Sequence, residues 1–413
     1  MSSAPASDRL PMVPLLVLAG AVFASVTSEF LPTGVLPQIA AELGVSESRV
    51  GLLVTIFAAT VVVTAVPLTA LTSPIPRKTL MVVLLGGFAL SNVAAALAPS
   101  YELLAVARVF GGLCHGLFWA VTGPYAARLV TRRHLARAVS IANGGGTLAF
   151  ILGVPIGAAL GAALGWRWAF GVMSGVVLVF LVLVVLLLPA VEHRVTLATA
   201  ELSLPTRKDR TIPGILVIAV TIFVVATGHN ALYTYIAPWV SQVGGVPLDG
   251  VSGELFAFGL AGAVGLVAAG VFGDRFPRAA LPVAIGVVIL AVVLLALLGP
   301  GSPIATTLLL VLWSAGFGGI PALVHARMLH TASLRVRDLG SAIITIAFNA
   351  AISLGALLGG LVLDHAGIAW IPWTLVAIVT LGLGVALATE PIRARAAGSP
   401  PAPAGAGGGQ PDR

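Results

Sequence analysis

Charged residues are scarce in this sequence, and their scarcity excludes most classes of protein. Asp, Glu, Lys and Arg make up 9% of the 413 residues, whereas a soluble domain carries about 25%. A chain with so few charges cannot keep a folded surface solvated in water. Apolar residues make up 58%, about 240 residues, which suffices for about twelve membrane helices of roughly 20 residues each. We therefore expect an all-α polytopic membrane protein, and neither a soluble enzyme nor a nucleic-acid-binding protein.

Cysteines and catalytic motifs are also nearly absent. The one cysteine, Cys114, lies within an apolar run and can form no intrachain disulfide. Glycine pairs such as Gly111-Gly112 are not followed by Lys-Ser/Thr, so they form no phosphate cradle. The sequence shows neither a metal-ligand spacing nor a nucleophile elbow. We therefore predict that ATP does not drive the protein directly, that it is not an enzyme, and that it needs neither a cofactor nor a metal ion.

Twelve apolar runs, separated by charged or Pro/Gly-rich joints, predict twelve membrane spans in two sets of six. The first set is 12–40, 50–71, 79–98, 103–127, 138–163 and 167–189, and the second is 212–240, 252–272, 279–299, 303–326, 340–363 and 370–389. We number these spans 1 to 12. The pattern predicts an N-terminal six-helix bundle over 1–189, a cytoplasmic linker over 190–211, a C-terminal bundle over 212–390 and a disordered cytoplasmic tail over 391–413.

The basic residues predict how the chain crosses the membrane. If both termini are cytoplasmic, 19 of the 22 Lys and Arg residues fall on the cytoplasmic side, as the positive-inside rule requires. Arg49 and Arg167 fall outside, and Arg108 lies within span 4. The same bias accounts for the net charge of +7 without a nucleic-acid partner.

The two sets of spans resemble each other at a shift of about 200 residues, as in transporters built from repeats. The segment 72–80 matches 273–281, with a shared Pro-Arg pair, and 153–157 matches 355–359. The matches occur in the same order and at equivalent spans. The sequence therefore predicts two parallel six-helix repeats.

Several motifs resemble those of the major facilitator superfamily. The family's loop motif, G-x-x-x-D-R-x-G-R-R, is kept between spans 8 and 9 as Gly270-Val-Phe-Gly-Asp274-Arg275, whereas the first copy, at 71–78, lacks the Asp. Arg108-Val-Phe-Gly-Gly fits the family's motif in span 4, and 153–157 is similar to the span 5 motif of proton-driven exporters. The segments 28–34, 71–78 and 115–119 resemble bacterial sugar efflux transporters, of the arabinose or thiogalactoside type, in the drug:proton antiporter branch.

The resemblance implies the major facilitator fold, in which two pseudo-symmetric bundles rock about a midplane site. It implies a proton-coupled secondary transporter of the bacterial plasma (inner) membrane that exports sugars or sugar-like solutes. An antibiotic or multidrug efflux antiporter is the alternative, and a channel or an intramembrane enzyme is a more remote one. We expect a small-molecule substrate, protons and the lipid bilayer as partners, no nucleic acid, and a functional monomer.

Ionisable side chains within the spans are the candidates for proton coupling, because burying them in lipid is costly. Glu29 is the only carboxylate deep in a span, and Arg108 lies at a similar depth in span 4. We expect the two charges to meet. The pair would be either a proton-coupling site or a fixed ion pair that orders the bundle.

The candidates for substrate binding are polar and aromatic side chains that share helix faces. They are His115 and Trp119 in span 4, His229, Asn230 and Tyr233 in span 7, and Asn349 in span 11. Hydrogen bonds between helices are the other explanation for these residues. For gating, the resemblance implies Arg77, Asp274 and Arg275, with the Asp closing the cytoplasmic side by pairing with an Arg and a helix end.

Overall fold

The computed structural model describes residues 10–190, 209, 211–333 and 336–388. Within them, twelve helices are long and apolar enough to cross a membrane, which confirms the predicted all-α membrane fold. The spans are Met12–Gly34, Glu47–Leu71, Arg77–Ala96, Tyr101–Arg128, Arg137–Leu164, Trp166–Leu187, Ile212–Tyr233, Leu248–Arg275, Ala280–Leu298, Pro303–Thr331, Leu339–Ala366 and Ile368–Ala388. Most of the predicted linker over 190–211 and all of the predicted tail over 391–413 lie outside the described residues.

Short polar and glycine-containing joints set the ends of these spans. Ser46, Ser100 and Ser302 cap spans 2, 4 and 10, each accepting a hydrogen bond from a backbone N–H in the first turn. Gly165 and Gly367 join spans 5 and 6 and spans 11 and 12 with φ angles of 94° and 90°, a conformation that favours glycine. The two glycines occupy equivalent joints of the two halves, in agreement with the repeat in the sequence.

Two of the predicted spans are broken near their ends, so the prediction of continuous helices there is wrong. Predicted span 1, 12–40, ends at Gly34 and is followed by the short helix Leu36–Leu43. Predicted span 7, 212–240, ends at Tyr233 and is followed by Ile236–Gln242. The helix ends three residues before Pro37 in the first case and five before Pro238 in the second, close to residue i−4, whose carbonyl a proline ring crowds.

Two further irregularities interrupt spans 5 and 10. Span 5 contains a π-helical segment at Ala149–Gly153, and Pro155 follows it. Span 10 divides into Pro303–Gly318 and Ile320–Thr331, which corrects the continuous helix predicted over 303–326. Pro321 lies just beyond that division. The predicted apolar runs were correct in position, but the helices break near some of the prolines within them, whereas Pro32, Pro67 and Pro124 lie inside continuous helices.

The side-chain hydrogen bonds between the two halves lie toward one end of the described bundle. Ser48 Oγ donates to Asp364 Oδ1 at 2.6 Å, and Gln242 Nε2 donates to Glu47 Oε1 at 2.8 Å. We call this end the outer end, because the charge bias predicts that it lies outside the cell. We call the opposite end the inner end.

The deepest of these bonds join spans 2 and 11. Thr55 and Ser353 each donate a side-chain hydrogen bond to the other's backbone carbonyl, at 3.2 and 3.1 Å. Beyond them, toward the inner end, span 2 has no buried residue after Val61 and span 8 has none after Gly265. The described parts of the two halves are therefore closed at the outer end and separated at the inner end.

We expect the Ser48–Asp364 bond to help hold the outer end closed. Asp364→Ala removes the charged acceptor of this hydrogen bond. Because Asp364 is exposed, we expect the free-energy difference between the two states to shift by about 1 kcal/mol in favour of the outer-open state. Distances between spin labels at the outer ends of spans 2 and 11 measure the shift. Glu102→Gln is the matched control, because Glu102 pairs with Arg49 within the same half. An equal shift in both variants would contradict this role for Asp364.

Candidate functional site

Arg108 connects span 4 to the backbone of span 1. Its side chain is 2% exposed, and its two terminal nitrogens donate to the carbonyl oxygens of Ser28 and Glu29 at 2.8 and 2.7 Å. The guanidinium also lies over the ring of Phe57, 4.1 Å from its centroid. The expected contact between the Glu29 carboxylate and Arg108 is therefore replaced by hydrogen bonds to the main chain.

The Glu29 carboxylate instead faces a histidine of span 4. Glu29 Oε2 lies 3.3 Å from His115 Nε2, and both side chains are buried. The same nitrogen accepts a hydrogen bond from Trp119 Nε1 at 2.8 Å. His115 Nδ1 lies 2.9 Å from Ser25 Oγ. The predicted substrate residues His115 and Trp119 thus lie in one buried polar group with the predicted proton site, Glu29.

This group, which we call the Glu29 site, can hold and transfer a proton. A carboxylic acid and an imidazole can share one proton at hydrogen-bond distance. Glu29 Oε1 is buried without a hydrogen-bond partner among the described residues, so the carboxyl group retains an unused acceptor. The Arg108 guanidinium binds the backbone carbonyls of Ser28 and Glu29. Its positive charge is therefore close to Glu29 and would attract the carboxylate whenever Glu29 is ionised.

Three polar residues that support the Glu29 site were not among the predicted site residues. Ser25 contacts His115, and Ser28 Oγ donates to Asn92 Oδ1 at 3.0 Å in span 3. All three are buried. Polar side chains in the middle of apolar spans were the available signal, but the sequence does not show which of them face each other.

A cluster of seven rings lies beside the Glu29 site. We call it the aromatic cluster: Phe30, Phe150, His229, Tyr233, Phe258, Trp313 and Phe317. Phe30 directly follows Glu29 in the chain, and its ring centroid lies 4.9 Å from Phe150 and 5.9 Å from Tyr233. The cluster therefore joins spans 1 and 5 of one half to spans 7, 8 and 10 of the other, next to the proton site.

Two predicted residues, His229 and Tyr233, lie within the aromatic cluster. The His229 ring stacks on Phe317 with a centroid distance of 3.3 Å and an angle of 4°, and it lies nearly parallel to Tyr233 at 5.5 Å. The other five rings were not predicted. In an apolar span, a phenylalanine or tryptophan that lines a binding site looks the same in the sequence as one that only packs against other helices.

The remaining predicted substrate residues make hydrogen bonds within their own helices. Asn230 Nδ2 donates to the Ala226 carbonyl at 2.8 Å, and Asn349 Nδ2 donates to Thr345 at 3.0 Å. Both side chains are buried. In the described part of the chain, no hydrogen bond joins either side chain to the Glu29 site or the aromatic cluster, so their role in substrate binding stays a prediction.

The predicted gating residues lie at the inner end, which is open. Asp274 and Arg275 are exposed at the end of span 8, and Arg275 contacts the ring of Phe276 at 5.8 Å. Arg77 begins span 3. Among the described residues no ion pair joins Asp274 to a base. A latch of this kind would form only when the inner end closes, so its role stays a prediction.

The sequence of this chain matches a known family of membrane proteins. The sequence profile of the Major Facilitator Superfamily matches residues 18–340 and 255–408. A chloramphenicol efflux pump of Mycobacterium tuberculosis (strain CDC 1551 / Oshkosh) is 35% identical over 361 residues, which cover 85% of this chain and 86% of that protein.

Two solved structures share the fold. They are the inward-facing unoccupied and inward-facing occupied forms of a bacterial homologue of the human lysosomal transporter Spinster. Their TM-scores are 0.78 and 0.73, at 14% and 16% identity, over 96% of this chain and 100% and 98% of theirs. The chain therefore belongs to the major facilitator superfamily, and it is a multi-pass membrane transporter of small molecules rather than an enzyme.

Proposed function

We propose that this protein is a proton-coupled antiporter that exports small antibiotics by alternating access across the bacterial inner membrane, as a functional monomer. The observation that carries the proposal is the position of the Glu29 site. One buried carboxylate, Glu29, lies 3.3 Å from His115 of span 4 and directly precedes Phe30, a member of the cluster of rings that joins the two halves. A proton and a substrate bound there would act on the same helices.

The hydrogen bonds around His115 support a proton on Glu29 in this conformation. His115 Nε2 accepts from Trp119 N–H, so this nitrogen carries no proton that it could donate to Glu29. An ionised carboxylate oxygen 3.3 Å away would therefore be buried without a hydrogen bond from His115, which favours the neutral, protonated form of Glu29. The inner-open form is thus suited to carry the proton that it would release into the cell.

Loss of that proton supplies a reason for the halves to move. The ionised Glu29 would turn from His115 toward Arg108, whose terminal nitrogens now bind the backbone of span 1. Span 1 carries both Glu29 and Phe30, so a change in its hydrogen bonds would reach the aromatic cluster directly. Proton release and substrate capture would then favour different states, as antiport requires.

The likeness to a chloramphenicol efflux pump favours a drug over a sugar as the substrate. The motifs in the sequence predict sugar export first, with drug export as the alternative. The aromatic cluster agrees better with the drug, because its seven rings offer stacking surfaces and few hydrogen-bonding groups. Sugar hydroxyls would need more polar partners than the described rings provide.

Transport into proteoliposomes tests the proposed function. We expect an imposed pH gradient to drive accumulation of radiolabelled chloramphenicol by the wild-type protein, and to drive no accumulation of arabinose under the same conditions. Collapse of the gradient with a protonophore should abolish the uptake. If the protein accumulates arabinose but not chloramphenicol, the sugar hypothesis is favoured instead. Accumulation that persists without the pH gradient would contradict proton coupling.

A further inference from the structure

Phe317 occupies one face of His229 within the aromatic cluster. The two rings are nearly parallel, with centroids 3.3 Å apart. Phe317 is partly exposed, whereas His229 and Trp313 are buried, at 6% and 0% exposure. The Phe317 ring therefore lies between the buried part of the cluster and accessible space. A ring in that position can leave the stack without unpacking the rest of the cluster.

Phe317 lies directly before a break in span 10. Its neighbours are glycines, in the sequence Gly316-Phe-Gly318-Gly319, and the first helix of span 10 ends at Gly318. Broken membrane helices commonly form the binding sites of transporters. Here the break directly follows Phe317. Gly318 and Gly319 pack closely against the backbone of span 8, so the ring would leave His229 by rotation of its own side chain and not by movement of the backbone.

Two buried nitrogens beside this stack lack hydrogen-bond partners in the described part of the chain. They are His229 Nδ1 and Trp313 Nε1, and the two rings lie 5.2 Å apart. An unpaired buried polar group costs free energy, and a substrate that bonds to it would recover that cost. The indole N–H can only donate, so its ligand must bring an acceptor.

Unpaired indole nitrogens are not confined to this cluster. Trp166 Nε1 and Trp239 Nε1 are also buried without partners among the described residues, but Trp166 begins span 6 and Trp239 lies in the short helix after span 7. Both lie toward the outer end. What distinguishes Trp313 is a second unpaired nitrogen on a neighbouring ring and a partly exposed ring, Phe317, stacked over that neighbour.

We propose that the His229 face now covered by Phe317 is a subsite for a planar aromatic group of the substrate, and that Trp313 donates a hydrogen bond to an acceptor on that group. Phe317 holds the place of the ligand ring until the substrate displaces it. The ligand class is a flat aromatic ring with a nitro or carbonyl oxygen. This inference rests on the proposed function, because it names the chemical class of the exported drug.

Two variants separate this subsite from simple core packing. Phe317→Ala removes the competing ring, so wild-type His229 should stack on the ligand without first losing Phe317, and binding should tighten about three- to tenfold. Trp313→Phe keeps an aromatic ring but removes the donor, so binding should weaken about fivefold. Trp239→Phe, which removes an equally buried and unpaired N–H outside the cluster, is the matched control and should leave binding unchanged.

The measurement is calorimetric titration of the full-length protein in lipid nanodiscs with chloramphenicol, which carries a nitrophenyl ring. The thermal stability of each variant, measured in parallel, shows that it is folded. Weaker binding by Phe317→Ala would mean that the Phe317 ring contacts the bound substrate instead of competing with it, and this would overturn the proposal. Equal losses in Trp313→Phe and Trp239→Phe, or no binding by the wild type, would also overturn it.

Failure of the subsite proposal can be told apart from failure of the proposed antiport function. If a pH gradient drives drug accumulation but both cluster variants bind like the wild type, the subsite is wrong and the antiporter stands. If the variants behave as expected but the gradient drives no accumulation, the subsite stands and proton-coupled export is wrong.

Discussion

Glu29→Gln should abolish uphill export while leaving exchange of substrate between the two sides. An amide has no proton to release at this position, so a pH gradient can no longer do work on the transporter. Glutamine has nearly the shape of a neutral glutamic acid and can occupy the same space beside His115, so the inner-open form should remain folded. We expect gradient-driven accumulation to fall to background and counterflow of labelled against unlabelled drug to persist.

Glu102→Gln is the matched control for that result. It makes the same chemical change in an exposed carboxylate, which pairs with Arg49 at the outer end. It should retain gradient-driven accumulation. If Glu29→Gln still concentrates the drug under a pH gradient, proton coupling does not pass through the Glu29 site.

Gly259→Ala should open the outer end. Gly259 lies in span 8 against the backbone of span 5, and a methyl group there would overlap the carbonyl of Phe150. Backbone cannot move aside as the end of a flexible side chain can, so the two halves must separate at this contact. Overpacking of this kind costs about 1–3 kcal/mol, which shifts the balance between the two states by about 5- to 150-fold.

The same helix supplies the control for this substitution. Gly253→Ala adds a methyl group one and a half turns earlier, where no atom lies within 4 Å of the new position. Spin-label distances across the outer end should lengthen in Gly259→Ala and stay unchanged in Gly253→Ala. Unchanged distances in both variants would mean that the contact between Gly259 and Phe150 does not hold the outer end closed.

The membrane fold could be predicted from the sequence because lipid imposes a simple rule. Each span needs a long apolar run, and charged or Pro/Gly-rich joints must separate the runs. The helix breaks were missed because the apolar runs continue through them. Pro37, Pro238 and Pro321 were visible in the sequence, but Pro32, Pro67 and Pro124 lie inside unbroken helices, so a proline alone does not fix where a membrane helix breaks.

The candidate site could be predicted only in part, because it depends on how helices rotate against each other. The cost of burying charge singled out Glu29 and Arg108 correctly as buried residues. It did not show that Arg108 would bind main-chain carbonyls or that His115 would face Glu29. The ring of Phe317 over His229 was beyond the sequence altogether, since it depends on the close approach of spans 7 and 10.

The most direct test of proton coupling at the Glu29 site is a measurement of protons moved by substrate. Proteoliposomes that contain a pH-sensitive dye are given an outwardly or inwardly directed gradient of chloramphenicol, with no pH gradient imposed. We predict that the wild-type protein moves protons against the direction of the drug, that Glu102→Gln does the same, and that Glu29→Gln moves the drug without protons. Proton movement by Glu29→Gln equal to that of the wild type would contradict the account.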